Sequence, residues 1–347
     1  MSNFEDLPNE VIHKVLTYLK VEEIVMCHQV SKRIRGISHD ESLWKKINLC
    51  SCKSVPAEFL QLVFNNGCKY LSLNQSTVVG NLHLEQSSQL RYLDMTDLTA
   101  TDEVKEKSLD SWHSFEKISL IGMTLSKKML FSIFYQNCKT LKVLNLSRCK
   151  GVSMGLIHYC VNLVELNLEK INQNISVDLL TESLSTKIEK LSLQHLKSIR
   201  DRHIKKLVTR CKKLRILYLR GTLISNESIT TIVKELKPTL EELDVSCTHI
   251  QIAKLLDLGA MPNFRVLYCY NNVQPISMVE SSLANVKIND ILGKLRVADP
   301  EQTFKPEDGI WDVETKRIEL PTFDDDGLSF DDDGPSFDIV IDLNHIF

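Results

Sequence analysis

Apolar residues recur along most of the chain in the pattern L-x-x-L-x-L. Clear units begin at Leu90, Phe115, Leu141, Leu163, Ile188, Leu214, Leu240 and Phe264, with weaker units at Cys68 and Leu283. Successive units start 19 to 26 residues apart, a period typical of a solenoid built from leucine-rich units. Each unit should supply a short strand and a returning helix. The pattern therefore predicts an α/β solenoid over residues 67–296, with about ten repeats and a parallel sheet on the concave face of a curved horseshoe.

Side chains along each strand point alternately to opposite faces of the sheet, which gives two sets of positions. The repeated leucines point into the core, and the residues between them point to the concave face. The early units carry small polar residues there, but the later units carry tyrosines and charged residues. The later residues are Tyr218, Arg220, Asp244, Tyr268 and Tyr270. Because tyrosine and arginine are enriched at binding hot spots, these five are predicted to contact a partner. The alternative is a set of exposed aromatic side chains with no binding role.

A second apolar pattern precedes the repeats, with spacing i, i+3, i+4 and i+7: Ile12, Val15, Leu16 and Leu19. This spacing predicts an amphipathic helix, and Pro8 suits its first turn. Two further helical patterns follow, and Leu43 and Trp44 close the module. We predict a three-helix module over residues 4–49 and a linker over residues 50–66. A module of this size normally depends on a partner or a neighbouring domain for its stability.

The motif Leu7-Pro8-x-Glu10, together with Leu43-Trp44, resembles the F-box family. The resemblance implies docking on a Skp-type adaptor and, through it, on a cullin–RING core. The adaptor contacts that it implies are Leu7, Pro8, Val11, Ile12, Val15 and Leu16. The alternative is an ordinary helical cap on the solenoid.

The repeats carry a further resemblance. Cys138, Cys160 and Cys211 each lie three residues before the first leucine of a unit. This placement resembles the cysteine-containing repeats of F-box/leucine-rich-repeat proteins. The runs at 255–267 and 310–311 are similar to the cell-cycle members of that family. The resemblance implies a tail over residues 297–320 that folds back on the concave face, with Trp311 in the binding site. It also implies phosphorylated cell-cycle proteins as substrates, together with a small cyclin-dependent-kinase subunit.

Two charged segments have opposite signs. From Pro321 onward the chain has eight Asp and no Glu, Lys or Arg, and a Phe-Asp-Asp-Asp-Gly motif occurs twice. Such a segment, residues 321–347, is predicted to be disordered in isolation. The segment 197–215 holds nine Lys or Arg and one acid, Asp201. It is either a solvated basic face or a docking site for an acidic segment. One hypothesis is that the acidic extension shields this segment or competes with an acidic or phosphorylated partner.

Several functional classes find no support in the sequence. No run approaches the ~20 apolar residues of a membrane span, and the net charge of −3 comes with no nucleic-acid-binding motif. The ten cysteines have no zinc-type spacing and are expected to be reduced, in the nucleus and cytoplasm. No cofactor or metal is predicted. The chain also lacks a Gly-rich phosphate loop, a G-x-S-x-G motif and an H-E-x-x-H motif, which argues against an enzyme.

The predicted function is therefore that of a non-catalytic receptor. The resemblance implies the substrate-recognition subunit of a Skp–cullin–F-box ubiquitin ligase. The alternative is a leucine-rich-repeat scaffold or inhibitor unrelated to ubiquitin, which would not need the Leu7-Pro8 end and its apolar stripe.

Overall fold

The computed structural model describes residues 7–80, 89–110, 114–171, 175–272 and 277–289. One parallel sheet of eleven strands runs through this part of the chain. Its central positions align in a single row: Ile47, Leu71, Leu93, Ile118, Leu144, Leu166, Leu191, Leu217, Leu243, Leu267 and Ile288. All but the last are buried. This row contains the second leucine of every clear unit, and the predicted α/β solenoid is confirmed.

The strands of the large sheet are short. They are β1 Lys46–Asn48, β3 Tyr70–Ser72, β5 Tyr92–Asp94, β6 Lys117–Ser119, β7 Val143–Asn145, β8 Glu165–Asn167, β9 Lys190–Ser192, β10 Ile216–Tyr218, β11 Glu242–Asp244, β12 Val266–Tyr268 and β13 Lys287–Ile288. A second, two-stranded parallel sheet pairs β2 Val55–Pro56 with β4 Val78–Val79.

Four helices precede the first strand, and further helices return the chain between strands. They are α1 Asn9–Leu16, α2 Val21–Cys27, α3 Lys32–Ser38, α4 Glu41–Trp44, α5 Ala57–Asn65, α6 Asp102–Asp110, α7 Lys127–Phe131, α8 Val177–Ser183, α9 Asp201–Arg210, α10 Asn226–Leu236, α11 Ile252–Leu255 and α12 Ser277–Ser282. A π-helix spans Ser132–Gln136, and 3-10 helices span Ile157–Tyr159 and Leu256–Ala260. Serine caps several N-termini, as where Ser126 Oγ accepts from Met129 N at 3.2 Å.

Side-chain amides and carboxylates fix the turn at the end of many strands. Each accepts a hydrogen bond from the backbone N–H two residues later, as Asp94, Asn145, Asn167 and Asp244 do at 2.8–3.0 Å. The chain then passes through a left-handed residue in almost every repeat, including Lys170 (φ 51°) and His195 (φ 63°). These two devices repeat the same turn and keep the strands in register.

The N-terminal module and the solenoid share one hydrophobic core. Trp44 is buried, its Nε1 donates to Ser38 O at 2.6 Å, and β1 follows directly. Across the junction, His39 Nδ1 lies 2.7 Å from Asn66 Oδ1. The two modules are therefore continuous in packing, with the first strand of the sheet starting inside the segment predicted to be the three-helix module.

The predicted linker over residues 50–66 is wrong. These residues form β2 and α5, and Phe59, Leu60 and Val63 of that helix are buried. The segment belongs to the first repeat, because Trp44-x-x-Ile47-x-Leu49 is itself a unit of the pattern. The sheet consequently has eleven strands in the described part of the chain, where about ten repeats were predicted.

The pairing of β13 shows that the register predicted for the last unit is wrong. The unit read from Leu283 put Val286 at the central position, but Ile288 pairs with Leu267. The true unit therefore lies two residues further along the chain. The predicted tail over residues 297–320, its Trp311 and the acidic extension over residues 321–347 lie outside the described residues.

Candidate functional site

The outer face of the N-terminal module carries a stripe of exposed apolar residues. On α1, Val11 and Val15 are 43% and 40% exposed, and Tyr18, one turn further on, is 77% exposed. Their spacing of i, i+4 and i+7 places them on one side of the helix. Met26 and Val30, at the end of α2 and just beyond it, are also exposed. Large apolar side chains that face water in this way mark a protein-binding surface.

Two of the predicted adaptor contacts do not lie on this surface. Ile12 and Leu16 are buried inside the module, so they cannot contact an adaptor. The small bundle needs both side chains for its own core, which leaves the neighbouring stripe at positions 11, 15 and 18 to face outward. Leu7 is half-buried and Pro8 is exposed at the N-cap of α1. Sequence reasoning missed Tyr18, Met26 and Val30, although the i, i+4 and i+7 spacing from Val11 was a usable signal.

A histidine occupies the centre of this module. His28 is buried, its ring centroid lies 4.4 Å from that of His39 and 5.9 Å from that of Trp44. Its two ring nitrogens have no hydrogen-bond partner among the described residues. The pKa of His28 is lowered to about 4, chiefly by burial and in addition by the nearby His39 and Arg35. The imidazole is therefore neutral at physiological pH, consistent with its place in a core.

The concave face begins with an aromatic row. The first residues of β1, β3, β5 and β6 align as Lys46, Tyr70, Tyr92 and Lys117. The two tyrosine rings stack at 4.3 Å, and each lysine Nζ lies 5.4 Å from a ring centroid. Sequence reasoning missed this row because it considered only the positions after the central leucine. The early part of the concave face is therefore aromatic and cationic, as well as carrying the small polar residues of the next row.

The later part of the concave face carries the predicted partner contacts. Tyr268, Tyr270 and Arg220 are half-buried, whereas Tyr218 and Asp244 are almost fully buried. The Tyr218 hydroxyl donates to Glu242, and its ring meets that of Tyr268 edge-on at 6.5 Å. Parallel strands at roughly 4.8 Å spacing press neighbouring side chains together, which covers these two. The prediction that Tyr218 and Asp244 offer contact surface is therefore wrong. They support the half-buried residues of this part of the concave face.

Charged groups collect at the same end. Glu169 is buried, and burial raises its pKa to about 7, although Lys170 Nζ lies 3.8 Å away. Burial also raises the pKa of Asp244 to about 6. Burial lowers the pKa of His195 to about 4, with Lys170 and Arg220 acting in the same direction. Glu169 is partly protonated near neutral pH, so this region, which also contains the basic side chains of Lys170 and Arg220, favours an anionic ligand.

Four of the nine cations in the basic segment 197–215 form ion pairs with acids of neighbouring repeats. Lys206 Nζ bonds Asp178 at 3.0 Å and Glu182 at 2.7 Å, and Arg215 Nε bonds Glu241 at 2.8 Å. Other cations pair in the same way, including Arg202 with Asp178 and Lys212 with Glu235. Neighbouring repeats thus supply the acids that the segment itself lacks. These ion pairs favour a solvated basic face over a docking site for an acidic segment.

No metal centre emerges from the described residues, and several of the cysteines are buried in the core. The described residues contain no group of three or more His, Cys, Asp or Glu that could hold a metal ion. The buried thiols of Cys68, Cys149 and Cys160 have pKa values raised to about 12, chiefly by burial. Cys160 and Cys211 instead donate to backbone carbonyls of the preceding repeat. No helix in the described ranges is long and apolar enough to cross a membrane.

Comparisons with known proteins agree with this architecture. Residues 58–318, more than half of the chain, match a family model described as "SKP2 LRR domain", and residues 4–50 match one described as "F-box-like". Among solved structures, the chain is similar to one of the yeast Rad7–Elc1 complex, at 14% identity and a TM-score of 0.50. That match covers 81% of this chain and 87% of the other. It is also similar to the internalin InlF of Listeria monocytogenes, at 13% identity and a TM-score of 0.44, covering 79% and 96%. The yeast structure supports the solenoid fold alone.

Proposed function

The chain belongs to the family of F-box proteins with an SKP2-type leucine-rich-repeat domain, and we propose that it is the substrate-recognition subunit of a Skp–cullin–F-box ubiquitin ligase. An F-box followed by leucine-rich repeats is the architecture of such receptors. The finer proposal is that it recruits phosphorylated cell-cycle proteins for ubiquitination and proteasomal degradation, in the nucleus and cytoplasm.

One observation carries the proposal. The F-box turns Val11, Val15 and Tyr18 outward, and the same module is packed into the first repeat through Trp44 and Ile47. An adaptor on the F-box and a substrate on the concave face would then be held in a fixed relation. Ubiquitin transfer needs this, because a receptor without catalytic groups accelerates the reaction by raising the effective concentration of the substrate lysine near the conjugating enzyme. We therefore propose a non-catalytic role.

The charge of the concave face supports a phosphorylated substrate. Arg220 and Lys170 are cationic, and Glu169 is held partly neutral by burial. Arginine forms strong bidentate hydrogen bonds with phosphate. A small cyclin-dependent-kinase subunit as an accessory partner remains part of the proposal through the family resemblance. Tyr268 and Tyr270, which are half-buried on the later part of the concave face, would provide the apolar part of such an interface.

The ligase assignment is tested by a pull-down from cell extract. The intact chain should recover a Skp-type adaptor and a cullin, whereas Val11→Asp/Val15→Asp should recover neither, because two carboxylates would be buried at the interface. Thr230→Asp, on the exposed side of α10, is the matched control and should recover both. If the intact chain recovers neither protein, the scaffold or inhibitor alternative is favoured.

The substrate assignment is tested with immobilised peptide libraries. A degenerate phosphothreonine library should retain the adaptor-bound chain better than its unphosphorylated counterpart, and Arg220→Ala should lose about tenfold of that preference. Lys187→Ala, which removes a lysine outside the concave face, is the control. Equal retention by both libraries would refute phosphate recognition and leave the ligase assignment intact.

A further inference from the structure

A second exposed apolar surface lies among the helices of the solenoid. Phe131 and Tyr135 are 44% and 49% exposed, and their rings stack at 4.8 Å. Tyr159, on the next repeat, meets Tyr135 edge-on at 5.5 Å, and His158 lies 3.9 Å from Tyr159. Val161 follows and is exposed as well. These five residues are called the aromatic patch. The F-box surface and the concave face do not include it.

The local backbone builds this patch. The π-helix over Ser132–Gln136 continues α7, with Phe131 and Tyr135 stacked on its exposed side and Ile133 and Phe134 buried in the core. Such π-segments are frequent at functional sites. Lys127 and Lys128 are exposed on the same helix, four and three residues before Phe131. The surface therefore combines aromatic rings with lysines at one edge, a combination that suits a phenylalanine flanked by carboxylates.

The chain contains that sequence. Its C-terminal segment has phenylalanine at positions 323, 330 and 337, and the first two are each followed by three aspartates. We propose that residues 321–347 dock on the aromatic patch of the same molecule. A Phe ring would pack on Phe131 and Tyr135, and the aspartates would face Lys127 and Lys128. The basic segment 197–215 is a weaker site for this sequence, because it has no Phe, Tyr or Trp on which a phenylalanine ring could stack.

The segment can reach the patch. The described chain ends at Asn289, next to β13, and β7 lies six strands away in the sheet order. Six spacings of roughly 4.8 Å amount to about 29 Å. The residues between Asn289 and Phe323 can span about 110 Å when extended, at ~3.3 Å each. A tether of this kind also gives an effective concentration on the order of millimolar, so weak docking is sufficient.

Photo-crosslinking in the full chain, prepared with its adaptor, tests this proposal. Tyr135→p-benzoylphenylalanine places the crosslinker in the patch, and Thr230→p-benzoylphenylalanine is the matched control on the exposed face of α10. Crosslinks from position 135 should map by mass spectrometry to residues 321–347 of the same chain, about tenfold above the control. High salt should weaken them, since the carboxylate–lysine part is screened.

A second variant removes the docking segment's anchors without touching the repeats. Phe323→Ala/Phe330→Ala/Phe337→Ala should reduce the crosslink about tenfold, because the loss of a buried phenylalanine side chain costs at least that factor. All three must change together, since any of them can fill the patch. Crosslinks between two copies, crosslinks to the adaptor, no crosslink at all, or an unchanged yield in the triple variant would each overturn the proposal. None of these outcomes depends on the ligase assignment.

Discussion

The F-box and the repeats use the same kinds of apolar residue in opposite ways. Between residues 7 and 30 the F-box exposes Val11, Val15, Tyr18, Met26 and Val30. The repeats bury nearly all of their periodic leucines and expose rows of polar, aromatic and charged residues on the concave face. A small module cannot bury all of its apolar surface, and here the exposed remainder is the surface that we propose for the adaptor. A solenoid covers each unit with the next, so its recognition surface is made from the residues between the leucines.

The largest expected effect tests whether the two regions are one body. Trp44 closes the F-box and also begins the first unit of the solenoid, and it is fully buried. Trp44→Ala should destabilise the chain by about 3–5 kcal/mol, the usual cost of removing a large aromatic from a core. Urea unfolding should show the loss as a shift of the whole transition. Tyr18→Ala, at an exposed site, should shift it little. Repeats that unfold at an unchanged midpoint in Trp44→Ala would mean that the modules are separate.

The concave carboxylates should give the repeats a stability that falls with rising pH. The folded pKa of Glu169 is about 7, against 4.5 normally, so the native state retains a proton that the unfolded state releases between these values. Glu169→Gln removes this cost, so the free energy of unfolding of the variant should exceed that of the parent by about 1–3 kcal/mol at pH 7.5. Near pH 4 the two proteins should be about equal. Urea titrations across this range measure the difference, and a constant difference would contradict the assignment.

The F-box histidine His28 should make stability rise with rising pH, which is opposite to the effect of Glu169. The folded pKa of His28 is about 4 against 6.5 normally, so the unfolded state binds the extra proton. The contribution of the neutral His28 side chain to stability is complete above pH 6.5 and is lost as the pH falls toward 4. In His28→Leu, the acid-induced loss in the free energy of unfolding should be about 1–2 kcal/mol smaller than in the parent. The readout is adaptor binding and urea unfolding at pH 5 and pH 7. The same acid-induced loss in the parent and in His28→Leu would show that His28 is not responsible.

The smallest effect tests the repeated turn. Gly122 has φ 78°, and a Cβ there would lie 2.1 Å from Asp97 Oδ1. Gly122→Ala should displace Asp97, break its 2.9 Å contact with Arg148 and cost about 1–2 kcal/mol. Gly155→Ala is the control, since its Cβ would meet nothing closer than 3.9 Å and its φ is ordinary. Equal melting temperatures for both variants would contradict the role of the turn.

The pattern of the sequence predicted the sheet because each central leucine is buried and evenly spaced. It missed the first strand because Trp44 had already been assigned to the helical module, although Trp44-x-x-Ile47-x-Leu49 fits the unit. The site was harder to predict. Periodicity marks a helix face as apolar but does not say which part of it faces the core, so Ile12 and Val15 looked alike. Likewise, spacing along one strand cannot show that Tyr70 and Tyr92 stack across two strands.

The central claim is that the outward stripe of α1 joins the repeats to a Skp-type adaptor. The most direct test is calorimetric titration of purified adaptor into the intact chain, Val11→Asp/Val15→Asp and Arg220→Ala. The account predicts that the double aspartate variant loses at least about 100-fold in affinity while its urea midpoint stays unchanged. Arg220→Ala should bind the adaptor like the intact chain. Unchanged affinity in the double aspartate variant, or no binding by the intact chain, would contradict the account.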